Sequence, residues 1–188
     1  MKKYILIAGV NGAGKSTLYQ SLQSLQGMPR VNTDEILRDF GDWRNMADVM
    51  TAGKIAVKKI ARYFDEGITF NQETTLCGKS IINNITKAKN RGFFIELHYI
   101  GVESADIAKE RVAGRMKQGG HGIAEQDIER RYIETFDNLK TVLPECDLAA
   151  FYDNTIEFRR FAIYKSGSPV RISHHIPDWY ERFVADMT

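Results

Sequence analysis

The stretch that decides the fold is Gly9-Val10-Asn11-Gly12-Ala13-Gly14-Lys15-Ser16, which matches G-x-x-x-x-G-K-S at every fixed position. An apolar run that starts at Tyr4 leads into it, and a segment typical of a helix follows it. In this context the glycines let backbone N–H groups turn towards phosphate oxygens, and the helix N-terminus adds a partial positive charge. The sequence therefore predicts the phosphate-binding loop of a nucleoside triphosphate site.

The fixed residues of this loop have predicted roles. Lys15 is expected to reach the terminal phosphates and to act in catalysis, and the Ser16 hydroxyl is expected to bind Mg²⁺. The predicted cofactors are therefore ATP or GTP, together with Mg²⁺. The residues predicted to contact the nucleotide are Gly9, Asn11, Gly12, Ala13, Gly14, Lys15, Ser16 and Thr17.

Length and composition limit the classes of protein to consider. A chain of 188 residues predicts a single domain over residues 1–188, and 43% hydrophobic with 27% charged residues is typical of a soluble globular protein. The formal net charge of +2 is too small to indicate a nucleic-acid or membrane partner, so neither is expected. Cys77 and Cys146 form no metal-binding spacing and no disulfide framework, which favours the cytoplasm.

Strand-like and helix-like segments alternate along the chain, which predicts an α/β fold with a mostly parallel five-stranded sheet and helices on both faces. The strands are expected around residues 4–10, 30–32, 68–73, 93–100 and 147–152. The helices are expected at residues 15–25, from residue 33 onward, and at 46–64, 80–89, 104–116 and 125–139. Residues 158–164 and 170–172 predict a C-terminal β-hairpin, and the aromatic tail predicts a packing helix.

Two acidic side chains follow neighbouring strands of the predicted sheet. Asp34 opens a helix after the second strand, and Glu73 ends the third. Asp34 either favours the helix dipole, by about 0.3–1 kcal/mol, or accepts a proton from an attacking hydroxyl. Glu73 either orders the Mg²⁺ shell or orients a substrate hydroxyl, while Thr74 either caps a turn or binds substrate. The residue that orders Mg²⁺ stays open between Glu73 and Asp34.

The basic segment at residues 104–140 predicts a helical lid. Its first helix carries an apolar stripe in which Arg115 projects inward and Arg111 flanks it one turn earlier, and its second helix carries Arg131 beside its buried face. A glycine-rich turn that includes His121 joins the two helices. Arginines that close onto a transferring phosphoryl group stabilise its charge. The alternative is a solvated helical hairpin with surface charges, which suits Arg130 best.

The combined pattern resembles the zeta-toxin group of phosphotransferases, in particular its compact bacterial members. The matching residues are the loop at residues 9–16, Asn32-Thr33-Asp34, Glu73-Thr74 and the segment 111–132, all within residues 1–140. The resemblance implies a P-loop kinase that uses ATP or GTP to phosphorylate a sugar hydroxyl, with UDP-N-acetylglucosamine as the best-known type of acceptor. An antitoxin protein is an implied partner.

The resemblance also implies roles for single residues. Asp34 becomes the proton acceptor, Glu73 and Thr74 contact the small-molecule acceptor, and Arg115 with Arg131 supplies lid charge. Together with the lid reasoning, the residues predicted to bind the acceptor are Asp34, Glu73, Thr74, Arg111 and His121. The chain departs from the pattern after Asp34, where it has Glu35-Ile36 in place of the usual histidine–proline.

Two other classes of function compete with the kinase. One is a nucleotide-hydrolysing switch or ATPase that acts on a protein partner, although the sequence has no N-K-x-D and no L-S-G-G-Q motif. The other is a kinase for nucleic-acid ends, which requires a basic groove and receives little support from a net charge of +2.

Overall fold

The computed structural model describes residues 1–185, so the last three residues of the predicted domain, up to Thr188, lie outside the described residues. Seven strands and seven α-helices lie within this described range. The strands are β1 (Lys3–Ala8), β2 (Arg30–Val31), β3 (Phe70–Thr74), β4 (Phe94–Gly101), β5 (Leu148–Asp153), β6 (Arg159–Lys165) and β7 (Ser168–Ile172). The helices are α1 (Lys15–Ser21), α2 (Thr33–Arg38), α3 (Met46–Glu66), α4 (Lys79–Asn90), α5 (Ala105–Lys117), α6 (Glu125–Val142) and α7 (Asp178–Phe183).

All seven strands of the described range form one sheet in the order β2-β3-β1-β4-β5-β6-β7. The five strands from β2 to β5 in this order pair in parallel, which confirms the predicted α/β class. Because β1 lies between β3 and β4, the chain leaves β1 at a point where successive connections diverge to opposite sides. Ligands of open parallel sheets bind at such a point, beyond the carboxyl ends of the strands.

The prediction of five strands is wrong because the C-terminal hairpin joins the same sheet. Strand β6 pairs antiparallel with β5, and β7 pairs antiparallel with β6. Positive φ angles at Ser166 (47°) and Gly167 (76°) form the two-residue turn, whose twist matches that of the flanking strands. The hairpin thereby covers the β5 edge, which would otherwise present unpaired backbone groups to solvent.

The aromatic tail forms the predicted packing helix, α7. Trp179 is fully buried, and its ring lies against Tyr99 of β4 and Phe136 of α6. A Cβ atom at Gly101 would stand 2.4 Å from the Trp179 ring, so glycine is required at the end of β4 for this packing. The tail therefore closes the core on the face of the sheet that α6 also covers.

Two helix boundaries differ from the prediction. Helix α1 ends at Ser21 instead of residue 25, because Leu22 adopts an extended conformation and the chain continues as a 3₁₀ turn at Gln23–Leu25. Helix α6 continues past the predicted residue 139 to Val142, which is buried in the core. No helix within residues 1–185 is long and apolar enough to cross a lipid bilayer.

Candidate active site

The phosphate-binding loop lies between the end of β1 at Ala8 and the start of α1 at Lys15, as predicted. Gly12 and Gly14 have φ angles of 82° and 104°, which side chains other than glycine rarely adopt. A Cβ atom at Gly9 would stand 2.3 Å from the Ile100 carbonyl oxygen of β4. The glycines therefore serve both the turn of the loop and its close contact with the sheet.

Lys15 lies inside this loop. Its Nζ atom donates hydrogen bonds to the carbonyl oxygens of Gly9 (2.9 Å) and Val10 (3.1 Å), and the residue is only 8% exposed. Burial lowers the pKa of Lys15, while the carboxylates of Glu73 and Asp34 act against that shift. The loop thus holds a cation at the position where the terminal phosphates of a nucleotide bind in such loops.

A cavity of about 490 Å³ extends from the loop. Its walls come from the loop, α2, the start of α3, the end of β3 and the segment between α5 and α6. The predicted site residues that line it are Asn11, Gly12, Lys15, Asp34, Glu73, Thr74, Arg115, His121 and Arg131. Tertiary folding therefore brings residues from four separate parts of the chain to one cavity.

Glu73 stands at the carboxyl end of β3, beside the loop. Its Oε2 atom accepts hydrogen bonds from Arg30 Nη2 (2.6 Å) and Asn32 Nδ2 (3.1 Å). The Ser16 hydroxyl donates to the carboxylate at the long distances of 3.5 Å to Oε1 and 3.4 Å to Oε2. Arg30 and Asn32 thus bind one oxygen of Glu73, and the carboxylate as a whole lies beside Ser16.

The donor set around Ser16 and Glu73 fits Mg²⁺. Both side chains offer oxygen atoms, which this cation prefers, and they lie at the mouth of the phosphate loop. No group of three or more His, Cys, Asp or Glu side chains suited to a metal occurs within residues 1–185. Mg²⁺ sites built from one or two protein oxygens, with nucleotide phosphates and waters completing the shell, are common in kinases.

Asp34 is the second residue of α2, and its side chain lines the cavity while remaining 42% exposed. Asn32 caps the helix: its Oδ1 atom accepts hydrogen bonds from the backbone N–H groups of Asp34 (2.9 Å) and Glu35 (3.3 Å). Asp34 Oδ1 lies 3.7 Å from His121 Nε2 of the lid. A carboxylate that is held by its backbone and open to a cavity can accept a proton from a bound hydroxyl.

His121 lies between Asp34 and the indole of Trp43, whose ring centroid is 5.6 Å from that of the imidazole. Burial lowers the pKa of His121, the nearby Arg115 and Arg131 guanidinium groups lower it further, and Asp34 acts in the opposite direction. The neutral imidazole is therefore favoured at pH 7. Sequence reasoning retained this histidine but gave no signal for Trp43.

The two predicted lid arginines reach the cavity in different ways. Arg131 is half-buried and donates from Nη1 to Asn11 Oδ1 of the loop at 3.1 Å. Arg115 is exposed, so its predicted position on an inward face of α5 is wrong: the buried stripe of that helix ends at Val112. Arg115 instead faces the cavity and donates from Nε to the His121 carbonyl oxygen at 2.9 Å.

Arg111 does not line the cavity, which corrects its predicted contact with the acceptor. Its Nη2 atom donates to the Thr155 carbonyl oxygen at 3.1 Å, and its Nη1 atom is buried without a hydrogen-bond partner in the described part of the chain. The reason is the course of α5, whose early turns pass the phosphate loop. A Cβ atom at Gly12 would stand 2.6 Å from the Ala108 carbonyl oxygen.

Three residues of the site escaped the sequence reasoning in different degrees. The sequence indicates Asn32 as a helix N-cap before Thr33-Asp34, because asparagine is a preferred residue there. It does not indicate the hydrogen bond from Asn32 to Glu73. Nothing in the sequence indicated that Arg30 would meet Glu73. Asn154 follows β5 and donates from Nδ2 to the Ala13 carbonyl oxygen of the loop at 2.9 Å, across 141 positions of sequence.

Sequence comparison identifies a relative that matches about two thirds of the chain. An uncharacterized protein of Haemophilus influenzae is 35% identical over 130 residues, which cover 69% of this chain and 92% of that protein. The chain therefore belongs to the same family as the Haemophilus influenzae protein. No protein-family model matches the sequence.

Solved structures with low sequence identity share the fold. AvrRxo1-ORF1, crystallised with ORF2 and ATP, has a TM-score of 0.71 and 13% identity, and the match covers 97% of this chain and 63% of that one. The PezAT chromosomal toxin–antitoxin system of Streptococcus pneumoniae gives a TM-score of 0.64 and 16% identity, covering 84% of this chain and 71% of that chain. This chain thus spans less than two thirds of AvrRxo1-ORF1. This chain therefore shares the fold of these solved structures.

Proposed function

We propose that this protein is a kinase that transfers the γ-phosphoryl group of ATP or GTP to the hydroxyl of a small molecule. One observation carries the proposal: the phosphate loop and the open carboxylate of Asp34 line the same cavity of about 490 Å³. A phosphate site alone serves every P-loop protein. Transfer to an alcohol also requires space for the acceptor molecule, with a carboxylate beside it.

In this proposal each wall of the cavity has a chemical task. Lys15 and the backbone N–H groups of the loop bind the terminal phosphates, and Ser16 with Glu73 binds Mg²⁺, which neutralises charge on the β- and γ-phosphate oxygens. An Asp34 oxygen accepts the proton as the acceptor hydroxyl attacks phosphorus and the β–γ bridging oxygen leaves with the nucleoside diphosphate. Arg115 and Arg131 stabilise the charge that spreads over the transferring group.

The nucleoside of the nucleotide is assigned to the opposite side of the loop. The acceptor compartment occupies the side of Asp34, so the nucleoside must leave the phosphates towards the segment after β5. Arg111 and Asn154 lie there, and both contact backbone carbonyl oxygens near the loop. The buried Nη1 atom of Arg111 has no hydrogen-bond partner within residues 1–185. We therefore propose that Arg111 contacts the nucleotide.

The finer parts of the proposal come from the resemblance to zeta toxins. The acceptor is a nucleotide sugar such as UDP-N-acetylglucosamine, and Glu73, Thr74 and His121 contact it. The reaction takes place in the cytoplasm. AvrRxo1-ORF1 was crystallised with its ORF2 partner, and PezAT is a toxin–antitoxin system. The partners of these two systems support a search for an antitoxin that binds this chain.

The direct experiment is to incubate the purified protein with γ-labelled ATP, Mg²⁺ and a metabolite extract, and to identify what acquires the label. A panel of nucleotide sugars is tested in parallel. We expect the label on a hydroxyl of one small molecule and none with the Lys15→Met variant. Label released only as inorganic phosphate, equally with and without extract, would contradict the kinase.

The competing function, a nucleotide-hydrolysing switch, predicts a different result in the same assay. A switch would hydrolyse ATP at a rate that depends on a protein partner, and Asp34→Asn would leave that rate unchanged. A kinase would lose transfer in Asp34→Asn while still binding nucleotide. The position of Asp34 on the wall of the cavity that also reaches Lys15 favours the kinase, because hydrolysis by water requires no room for an acceptor beside the phosphates.

A further inference from the structure

Asn32 contacts both the backbone at the start of the helix that carries Asp34 and the carboxylate of Glu73. Its Oδ1 atom accepts from the backbone N–H groups of Asp34 and Glu35, and its Nδ2 atom donates to Glu73 Oε2 at 3.1 Å. Because two backbone donors point at one end of the amide, that end must be oxygen. The other end is therefore the NH₂ group, which a carboxylate requires.

The Asn32 amide is buried, so its hydrogen bonds determine how Glu73 lies relative to the first turn of α2. Asn32 is 7% exposed, and the Glu73 side chain is 12% exposed. A buried amide keeps its hydrogen bonds, because breaking one of them costs free energy when no water replaces the lost partner. Moving Glu73 away from Asn32 would therefore also disturb the first turn of α2, where Asp34 stands.

Arg30 supports the same carboxylate oxygen from the other side. Its Nη2 atom lies 2.6 Å from Glu73 Oε2, its Nε atom lies 3.1 Å from Glu35 Oε2, and its guanidinium stacks on the Tyr19 ring at 3.5 Å. Two donors thus occupy Oε2 of Glu73. Oε1 accepts from neither Arg30 nor Asn32, and the Ser16 hydroxyl lies at similar distances from both oxygens, 3.5 Å from Oε1 and 3.4 Å from Oε2.

From this arrangement we propose that Asn32 is a positioning residue that holds the Asp34 and Glu73 carboxylates in a fixed relation for phosphoryl transfer. Asn32 itself touches no reacting atom in this proposal. It acts by holding the Glu73 carboxylate beside Ser16 on the phosphate side and the Asp34 backbone towards the acceptor side. The inference rests on the proposed kinase function.

The test uses two variants that keep the helix cap. Aspartate and serine are both good N-cap residues, so Asn32→Asp and Asn32→Ser preserve the bonds to α2. Both lose the Nδ2 donor, and Asn32→Asp also adds a negative charge beside Glu73. We expect kcat for transfer to fall about 10–100-fold in Asn32→Asp and less in Asn32→Ser, with nucleotide affinity unchanged.

Asn45 provides a matched control. It caps the neighbouring helix α3 by accepting from the Ala47 backbone N–H at 3.0 Å, and its side chain is exposed. Asn45→Asp makes the same chemical change at a helix start without a contact to Glu73. We expect its kcat to equal that of the wild type. An equal loss in Asn45→Asp and Asn32→Asp would show a general effect of capping and overturn the proposal.

A double-mutant cycle separates positioning from an independent role. If Asn32 acts through Glu73, Asn32→Asp lowers kcat much less in a Glu73→Gln background than in the wild type. Additive losses in the double variant would overturn the proposal.

Crystal structures give a readout that does not depend on an acceptor. In Asn32→Asp the Glu73 carboxylate is expected to rotate away from position 32 and to move relative to Ser16. An unchanged Glu73 overturns the positioning role even if the wild type proves to be no kinase. Conversely, a displaced Glu73 in a protein without transfer activity would refute the kinase and keep the structural role of Asn32.

Discussion

In the proposed reaction the cavity has two halves: a phosphate half, formed by the loop at residues 9–16, and an acceptor half around Asp34. The two halves are built from contacts of very different range along the chain. In the phosphate half, Lys15 bonds to the carbonyl oxygens of Gly9 and Val10, which are six and five positions away. In the acceptor half, Asp34 lies beside His121 of the segment between α5 and α6, and the Asn32 cap of the same helix bonds to Glu73 across 41 positions. A local loop forms wherever its strand and helix form, whereas the acceptor half exists only when α2, β3 and the lid are assembled.

This difference leads to separable phenotypes. Changes in the phosphate half should remove nucleotide binding and therefore every activity. Changes in the acceptor half should remove transfer and leave nucleotide binding in place. The four predictions that follow test this separation, from the largest expected effect to the smallest.

The largest effect is expected for Lys15→Met. Removing the buried cation of the loop should cost about 2–5 kcal/mol of nucleotide binding, with transfer below detection. Calorimetric titration with ATP measures the affinity. Lys79→Met is the matched control, since Gly78-Lys79-Ser80 repeats the G-K-S letters but lies exposed at the start of α4. Normal ATP affinity in Lys15→Met would refute the assignment of the phosphate half.

The next effect is expected for Asp34→Asn, in the acceptor half. Loss of the proton acceptor should lower kcat for transfer about 10²–10⁴-fold, while ATP affinity stays unchanged. Asp39→Asn, at the exposed C-terminal end of the same helix, serves as control and should retain full activity. If Asp34→Asn weakened ATP binding as much as turnover, the two halves would not be separable.

A smaller effect is expected when one lid arginine is removed. Arg115→Ala should lower kcat about 10²-fold, because Arg115 faces the cavity and would donate to the transferring group. Arg130→Ala is the control, since Arg130 is 57% exposed and pairs with Asp127 and Glu134 of its own helix. Steady-state kinetics should show a change in kcat rather than in ATP affinity. Equal behaviour of the two variants would favour a lid with surface charges only.

The smallest effect concerns pH and stability. The pKa of His121 is lowered in the folded protein, so the unfolded chain binds a proton at this residue more readily than the folded one. The stability that neutral His121 contributes is therefore present above its unfolded pKa and is lost as the pH falls. Between pH 7 and pH 5 the melting temperature of the wild type should fall slightly more than that of His121→Gln. A larger fall in the variant would reverse the sign of the inferred shift.

The success of the sequence predictions follows the range of the interactions. The loop, the order of strands and helices and the terminal hairpin were predicted from local patterns, and the fold confirms them. The strand count was wrong because pairing of β6 with β5 depends on the edge that the folded sheet exposes. The predicted inward position of Arg115 was wrong because helical periodicity describes one helix by itself. In the folded protein the buried stripe of α5 ends at Val112.

By itself, the sequence determined the phosphate-binding loop, because its glycines and Lys15 act through bonds within a few residues of one another. It also determined which residue types were available to the lid and to α2. Only the tertiary structure decided that Arg30 and Asn32 share one oxygen of Glu73, that His121 reaches Asp34, and that Arg111 turns towards Thr155. Such contacts join segments far apart in the chain, and their geometry is set by how helices pack on the sheet rather than by any local pattern.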